Sequence, residues 1–363
     1  MANSILSKLG SVMSGLLSGG GQNLLGLSIG TSSIKAVELT KKGSGYIISN
    51  FGMIQLPEDT IVDREVMNSV AVVENIKALI SQTKIKTKTV CLSLAASSII
   101  IKRLQVESAT EKELQDAVFW EAEQYIPFDI SDCILDFHKI GKTADNKYDV
   151  LLVAAKRSSL EAYMACVEQA GLQTKVVDID YFALHNLFEA NYAGAGAGAV
   201  CIVDIGASST KIIISSGGVT VFTKDVGMGG KTLTTEIQKQ MGVGFEDAEV
   251  LKQGAGVEGA PQQVSELMAI MSENLGDEIK RTIDFYAASA TDTPIGLVLL
   301  SGGGAKIPGL IQVVEQRTGL PTQMINPFQS VGYDDKKINP DFLIEIAPIA
   351  AIPVGLALRS GGA

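Results

Sequence analysis

Ile29-Gly30-Thr31-Ser32-Ser33-Ile34-Lys35 recurs in the second half of the chain as Ile205-Gly206-Ala207-Ser208-Ser209-Thr210-Lys211. Each copy follows an apolar run (Leu24 to Leu27; Val200 to Val203) and leads into another (Ala36 to Leu39; Ile212 to Ile214). Apolar runs on either side of a small-residue tip read as β-hairpins. Glycine, serine and threonine at the tip let backbone N–H groups and hydroxyls come close to an anion. Two such tips predict two half-domains gripping one polyphosphate from opposite sides.

Outward from the hairpins, the rest of the chain supports two lobes. At 363 residues it exceeds the size at which single cores stop growing, and 46% hydrophobic residues supply ample core. Leu24–Ile29, Ser33–Thr40, Tyr46–Leu56 and Val90–Leu94 read as strands. A helix is expected around Val70–Gln82, with Val70, Val73, Ile76, Leu79 and Ile80 on one face. Between about 96 and 172 the pattern changes. Strands at Ser98–Gln105, Cys133–Ile140, Tyr148–Ala155 and Lys175–Ile179 alternate with two helices, the first opened by Thr110 with Glu113 and the second by Ser158 with Glu161. The order is β-α-β-β-α-β, read as an inserted subdomain. Ala193 to Gly198 is a flexible Ala-Gly connection, residues 230–290 are largely helical, and Ala347–Arg359 is a small-residue helix suited to packing between lobes.

Charge and cysteines exclude several classes. A net charge of −10 disfavours a nucleic-acid backbone or an anionic membrane as the main partner. Cys91, Cys133, Cys166 and Cys201 lack any C-x-x-C spacing and read as reduced, buried thiols. His138 and His185 stand apart and are expected in packing or surface roles. No apolar run is expected to span a bilayer. Residues 1–23 read as an amphipathic arm on a Gly19-Gly20-Gly21 hinge, able to dock on a partner, on a membrane face or on the chain itself.

Three further segments bear on chemistry. Ser301-Gly302-Gly303-Gly304-Ala305-Lys306-Ile307-Pro308-Gly309 follows the buried strand Ile295–Leu300, giving a loop on which a flat ring can lie and a helix N-terminus beyond it. Gly229-Gly230 precedes another helix. Asp178 and Asp180 lie between the halves, where helix capping is the favoured reading and no convincing catalytic base is evident. Phe119, Trp120 and Tyr125 are expected in the core of the insert.

Two hairpins followed by Gly302-Gly303-Gly304-Ala305-Lys306-Ile307-Pro308-Gly309 resemble the actin–Hsp70–sugar-kinase superfamily. The insert resembles the 1C subdomain of FtsA. Glu121-Ala122-Glu123-Gln124-Tyr125-Ile126-Pro127-Phe128, Asp178-Ile179-Asp180-Tyr181-Phe182-Ala183-Leu184 and Asn326-Pro327-Phe328 resemble the PilM family of type IV pilus proteins. The resemblance implies an α/β, two-lobed actin-like (ribonuclease H-like, duplicated) ATPase fold with an FtsA-type 1C insert. It divides the chain into a first lobe (24–95, 173–199 and 340–363), the insert (96–172), a second lobe (200–228 and 293–339) and a helical subdomain (229–292).

The resemblance also implies ligands and partners. ATP with Mg²⁺ would lie between the lobes, its phosphates held by Gly30, Thr31, Ser32, Ser33 and Lys35 and by Gly206, Ala207, Ser208 and Ser209, with Asp204 near the metal. Gly229 and Gly230 add an approach point, Glu249 and Lys252 match ribose and base contacts, and Gly302, Gly303 and Gly304 line the adenosine. Ser28 stands where the family usually carries an aspartate, which weakens the expectation of ATP hydrolysis. The implied role is a cytoplasmic scaffold held under the inner membrane by the N-terminal cytoplasmic peptide of PilN. That peptide would lie in a groove between the first lobe and the insert. Other assembly and motor proteins, and a homo-oligomer or ring, are further implied partners. The alternatives are an FtsA-like filament-forming division protein and a sugar-kinase-type phosphotransferase.

Overall fold

The computed structural model describes residues 23–359 apart from 44, 96–98, 109, 193–197, 255–260, 290–292, 335 and 337. The expected arm at 1–22 and most of the Ala-Gly connection lie outside the described residues. Strands β1 (Leu25–Ile29) and β2 (Ser33–Lys42) form the first hairpin, and β3 (Gly45–Gln55) pairs antiparallel with β2. A short ribbon of β4 (Ile61–Val62) and β5 (Glu65–Val66) precedes α1 (Ser69–Thr83), after which β6 (Thr89–Leu94) returns parallel to β1. Asn68 caps α1 by accepting from the Ala71 N–H. The helix buries Val72, Val73, Ile76 and Leu79, whereas Val70 is 64% exposed. The expected Val73, Ile76 and Leu79 are thus buried and Ile80 packs partly against the same core; Val72 joins them and only Val70, in the first turn, lies off the face.

In the insert, β7 (Ile99–Val106), α2 (Glu111–Ala122), β8 (Cys133–Lys142) and β9 (Tyr148–Lys156) make an antiparallel sheet of order β7-β9-β8 backed by one helix. Leu104, Leu114, Val118, Val150 and Leu152 form its own core. Thr110 caps α2 as expected, accepting from Glu113 N–H at 3.3 Å. The next helix, α3 (Arg157–Gln169), starts one residue before Ser158, and its cap residue Lys156 makes no side-chain bond. β10 (Gln173–Ile179) then pairs parallel with β6.

The β-α-β-β-α-β order is present, but it is not one closed module. Leu160, Tyr163, Cys166 and Val167 of α3 pack in the same core as α1, and β10 extends the first lobe's sheet. Periodicity identified each element and its apolar face; it could not say which sheet that face would join.

After α4 (Asp180–Tyr192), the second half repeats the first. It contains β11 (Ala199–Ile205), β12 (Thr210–Ser216) and β13 (Val219–Val226), then α5 (Gly230–Met241), α6 (Phe245–Gly254) and α7 (Gln262–Ser289). It closes with β14 (Ile295–Ser301), α8 (Leu310–Thr318), β15 (Thr322–Met324), β16 (Val331–Gly332) and α9 (Pro340–Leu358). The two main sheets read β3-β2-β1-β6-β10 and β13-β12-β11-β14-β15, with the same strand directions at every step. β16 adds to the first sheet beside β3. The duplication seen in the hairpins therefore extends to the whole of both sheets.

α4 and α9 lie between these sheets and fuse them into one core. Val37, Leu39 and Ile48 of the first sheet and Val200, Ile202 and Leu299 of the second share a cluster with Leu184, Leu187, Ile346, Ala350 and Val354. Contact is close enough to require glycine: a Cβ on Gly355 would sit 1.9 Å from the Ala183 carbonyl oxygen. α9 spans 19 residues and is long and apolar enough to cross a bilayer, contrary to expectation. Pro348 and Pro353 both lie inside the helix, most of whose residues are buried in the interlobe core. The four cysteines are free and buried.

Candidate functional site: the interlobe cleft

Both tips close in the same way. Gly30 N–H donates to Ser33 O at 3.0 Å, and Gly206 N–H donates to Ser209 O at 2.9 Å. The tips face each other across the cleft, with Ser208 Oγ donating to Thr31 Oγ1 at 2.8 Å. The N-terminus of α5 is fixed to the second tip by Gly230 N–H to Gly206 O and Lys231 N–H to Ala207 O, at 2.9 and 2.7 Å. Gly229 makes this possible, since a Cβ there would lie 2.5 Å from Ala207 O. Thr234, Glu249 and Lys252 form a hydrogen-bonded cluster behind it, Lys252 Nζ also reaching Gly230 O at 3.4 Å.

The glycine loop packs on the root of the same hairpin. Gly302 has φ +86°, and a Cβ on it would meet Ile205 O at 2.3 Å. Its N–H donates to Pro348 O at 2.8 Å, tying the loop to α9. Gly303 and Gly304 enter a 3₁₀ turn (Gly303–Lys306), and α8 begins only at Leu310. The expected helix N-terminus thus follows the loop, with Pro308 and a left-handed Gly309 between the 3₁₀ turn and the helix.

Charge in the cleft is arranged by register. Asp204 lies opposite Lys211 across the second hairpin, and Ser28 lies opposite Lys35 across the first. Lys211 Nζ sits 3.2 Å from Asp180 Oδ2 and 3.4 Å from Asp204 Oδ2. Burial pulls the Lys211 pKa down, but Asp180 and Asp204 outweigh it and hold the ammonium above its usual range. Asp204 Oδ1 also accepts from Ser301 Oγ at 2.9 Å. Lys35 makes no ion pair among the described residues; burial lowers its pKa and the nearby Asp204 only partly offsets this. The cleft thus holds one lysine neutralised by two carboxylates and one half-buried lysine with no ion pair among the described residues.

Sequence reading missed Asp180 and Lys211 as parts of this cluster, although Lys211 is the repeat's own counterpart of Lys35. It also missed Arg64, whose Nη2 donates to Ser209 Oγ at 2.7 Å and whose Nη1 approaches Asp225 at 3.4 Å. Asp178 lies away from this cluster, paired with Arg359 at 2.8 Å. His185 packs against Ser215 and the Gly218 carbonyl. Among the described residues no group of three or more His, Cys, Asp or Glu is set to hold a metal alone.

A cavity of about 210 Å³ opens where the first lobe meets the insert. Asp63, Glu65 and Ser159 line it on one side, and Ile99, Phe128 and Cys133 on the other. Of the aromatic cluster of the insert, Phe119 packs against the core as expected, but Tyr125 and Trp120 do not. Trp120 is 74% exposed, because the buried stripe of α2 runs through Leu114, Val118 and Ala122 and leaves Trp120 on the opposite face.

A family model described as type IV pilus assembly protein PilM matches residues 26–361. The chain belongs to the PilM family. A solved PilM–PilN type IV pilus biogenesis complex is similar to it at 27% identity and TM-score 0.85, covering 94% of this chain and 99% of that one. MreB5 of Spiroplasma citri bound to AMPPNP is similar at 13% identity and TM-score 0.51, covering 92% and 94% of the two chains, a likeness of fold alone. The cell division protein FtsA of Streptococcus pneumoniae is 22% identical over 352 residues, 84% of this chain and 75% of FtsA. The PilM fold is accordingly an actin-like one, with duplicated sheets and the interlobe cleft between them.

Proposed function

We propose that this PilM-family chain is an ATP-binding scaffold on the cytoplasmic face of the inner membrane, held there by the N-terminal cytoplasmic peptide of PilN. The observation that carries the nucleotide site is the pair of facing tips with the unpaired Lys35 between them. Gly30, Thr31, Ser32 and Ser33 donate to phosphate from one lobe, and Gly206, Ala207, Ser208 and Ser209 from the other. Lys35 supplies the missing counter-charge. Glu249 and Lys252, beside the α5 N-terminus, serve the ribose and base, with Gly229 and Gly230 leaving room for backbone approach. Gly302, Gly303 and Gly304 give the adenosine a surface without side chains.

Mg²⁺ needs no all-protein cage, because it keeps waters and binds through one or two carboxylates plus phosphate. Asp204 and Asp180 fit that role, and the ion would neutralise phosphate charge. Both carboxylates share Lys211, which leaves neither free as a general base. Ser28 removes a third carboxylate from the other hairpin. Turnover of ATP is therefore weak or absent, and the nucleotide acts by favouring the closed arrangement of the lobes.

Support for the peptide site comes from the cavity at the lobe–insert junction and from β7, an edge strand whose backbone can pair with an extended peptide. The similar solved structure is itself a complex with PilN. Other assembly and motor proteins, and further copies of the chain, would then engage the remaining faces. The test is calorimetric titration of the purified protein with ATP·Mg²⁺ and with a synthetic PilN N-terminal peptide. One site for each is expected, and no heat from either ligand contradicts the reading.

A further inference from the structure

The β4–β5 ribbon stands between the two proposed sites. Val62 pairs with Glu65, so Asp63 and Arg64 form a two-residue turn, with φ of 47° and 67°. Asp tolerates left-handed backbone, but it is unfavourable for Arg64, so the surroundings must hold it there. They do so from the first lobe. Tyr163 Oη donates to the Arg64 carbonyl at 3.0 Å, Ser159 Oγ donates to Glu65 Oε1 at 2.6 Å, and Thr60 O accepts from Met67 N–H at 3.0 Å.

Successive side chains of the ribbon go opposite ways. Asp63 and Glu65 line the cavity at the lobe–insert junction. Arg64, with a side chain only 11% exposed, crosses to the second lobe and bonds Ser209 and Asp225. A three-residue segment therefore touches both sites at once.

We propose that Arg64 is a positioning residue that couples a peptide in the lobe–insert groove to phosphate binding at the second hairpin. A peptide resting on Asp63 and Glu65 holds the strained ribbon in place. The ribbon in turn keeps a guanidinium beside Ser209, where it favours negative charge. Coupling of this kind is reciprocal, so each ligand tightens the other by the same factor. The inference rests on the nucleotide and peptide sites proposed above.

The test titrates AMPPNP·Mg²⁺ into the full chain with and without the synthetic PilN peptide, for wild type, Arg64→Ala and Arg64→Lys. Wild type is expected to bind AMPPNP about fivefold or more tighter with peptide present. In Arg64→Ala each ligand still binds but the enhancement disappears, and Arg64→Lys keeps part of it. Enhancement that survives in Arg64→Ala, or a wild type with none, overturns the proposal.

A ligand-free arm separates the link from the sites. Tyr163→Phe frees the ribbon from the first lobe, and hydrogen exchange at the amides of 206–210 should quicken several-fold. Unchanged exchange there overturns the link even if both ligands bind. Failure of wild type to bind either ligand, with exchange quickened as expected, supports the link and overturns the site assignments instead.

Discussion

Lys35 and Lys211 occupy equivalent positions in the two hairpins, yet their electrostatics differ because their cross-strand neighbours differ. Lys211 neutralises two buried carboxylates. Replacing it, as in Lys211→Met, leaves Asp180 and Asp204 facing each other and should cost about 3–5 kcal/mol in denaturant unfolding. Lys35 has Ser28, not a carboxylate, opposite it in its own hairpin, and bears a burial cost that an anion relieves. Lys35→Met should therefore leave the ligand-free protein as stable or more so, while abolishing any rise in Tm on adding ATP. A variant that loses stability without nucleotide but keeps the ATP-induced rise would contradict this account of Lys35.

Asp136 gives a pH-dependent counterpart. Burial pushes its carboxyl above the usual range, the Phe137 N–H offsets this in part, and Oδ2 is buried without a partner. A carboxyl raised in the fold contributes stability below its unfolded pKa and loses it as pH climbs through the folded one. Asp136→Asn should thus raise Tm at pH 7, with the two proteins converging toward about pH 3, where the carboxyl is protonated in both states. Thermal melts across that range check it; a constant difference at all pH values would not fit.

At the scale of elements, α9 decides how the lobes meet. Its fit against α4 leaves no room at Gly355, so Gly355→Ala should destabilise by about 3 kcal/mol, read from denaturant midpoints. A neutral result would mean that the helices separate readily. This element also marks the limit of sequence reading. The hairpins were legible because each tip and its flanking strands are local, and so were α2 with its Thr110 cap and the helical stretch after 230. α9 was read from Ala347, whereas the helix begins at Pro340, and within it Pro348 O is an acceptor for Gly302 and Ser301. α3 was placed with the insert because chain order suggested it, while its apolar face was decided by α1, far off in sequence. Arg64 was invisible for the same reason, since its partners Ser209 and Asp225 come from the other lobe.

For the whole molecule, one sheet topology is used twice and the two copies are joined through α4 and α9 into a shared core. The tips consequently meet at one place, with Ser208 against Thr31, and a ligand held there contacts both halves. A ligand of that kind stabilises the folded, closed form by mass action. The decisive measurement is calorimetric titration of AMPPNP·Mg²⁺ into wild type and into two matched variants, Thr31→Asp and Ser208→Asp, each placing one carboxylate in one tip. One nucleotide per chain is expected, with affinity falling at least about tenfold, or about 1.4 kcal/mol, in each variant separately. Two nucleotides per chain, or a variant in either tip that binds as wild type does, would contradict the claim that both hairpins hold a single triphosphate.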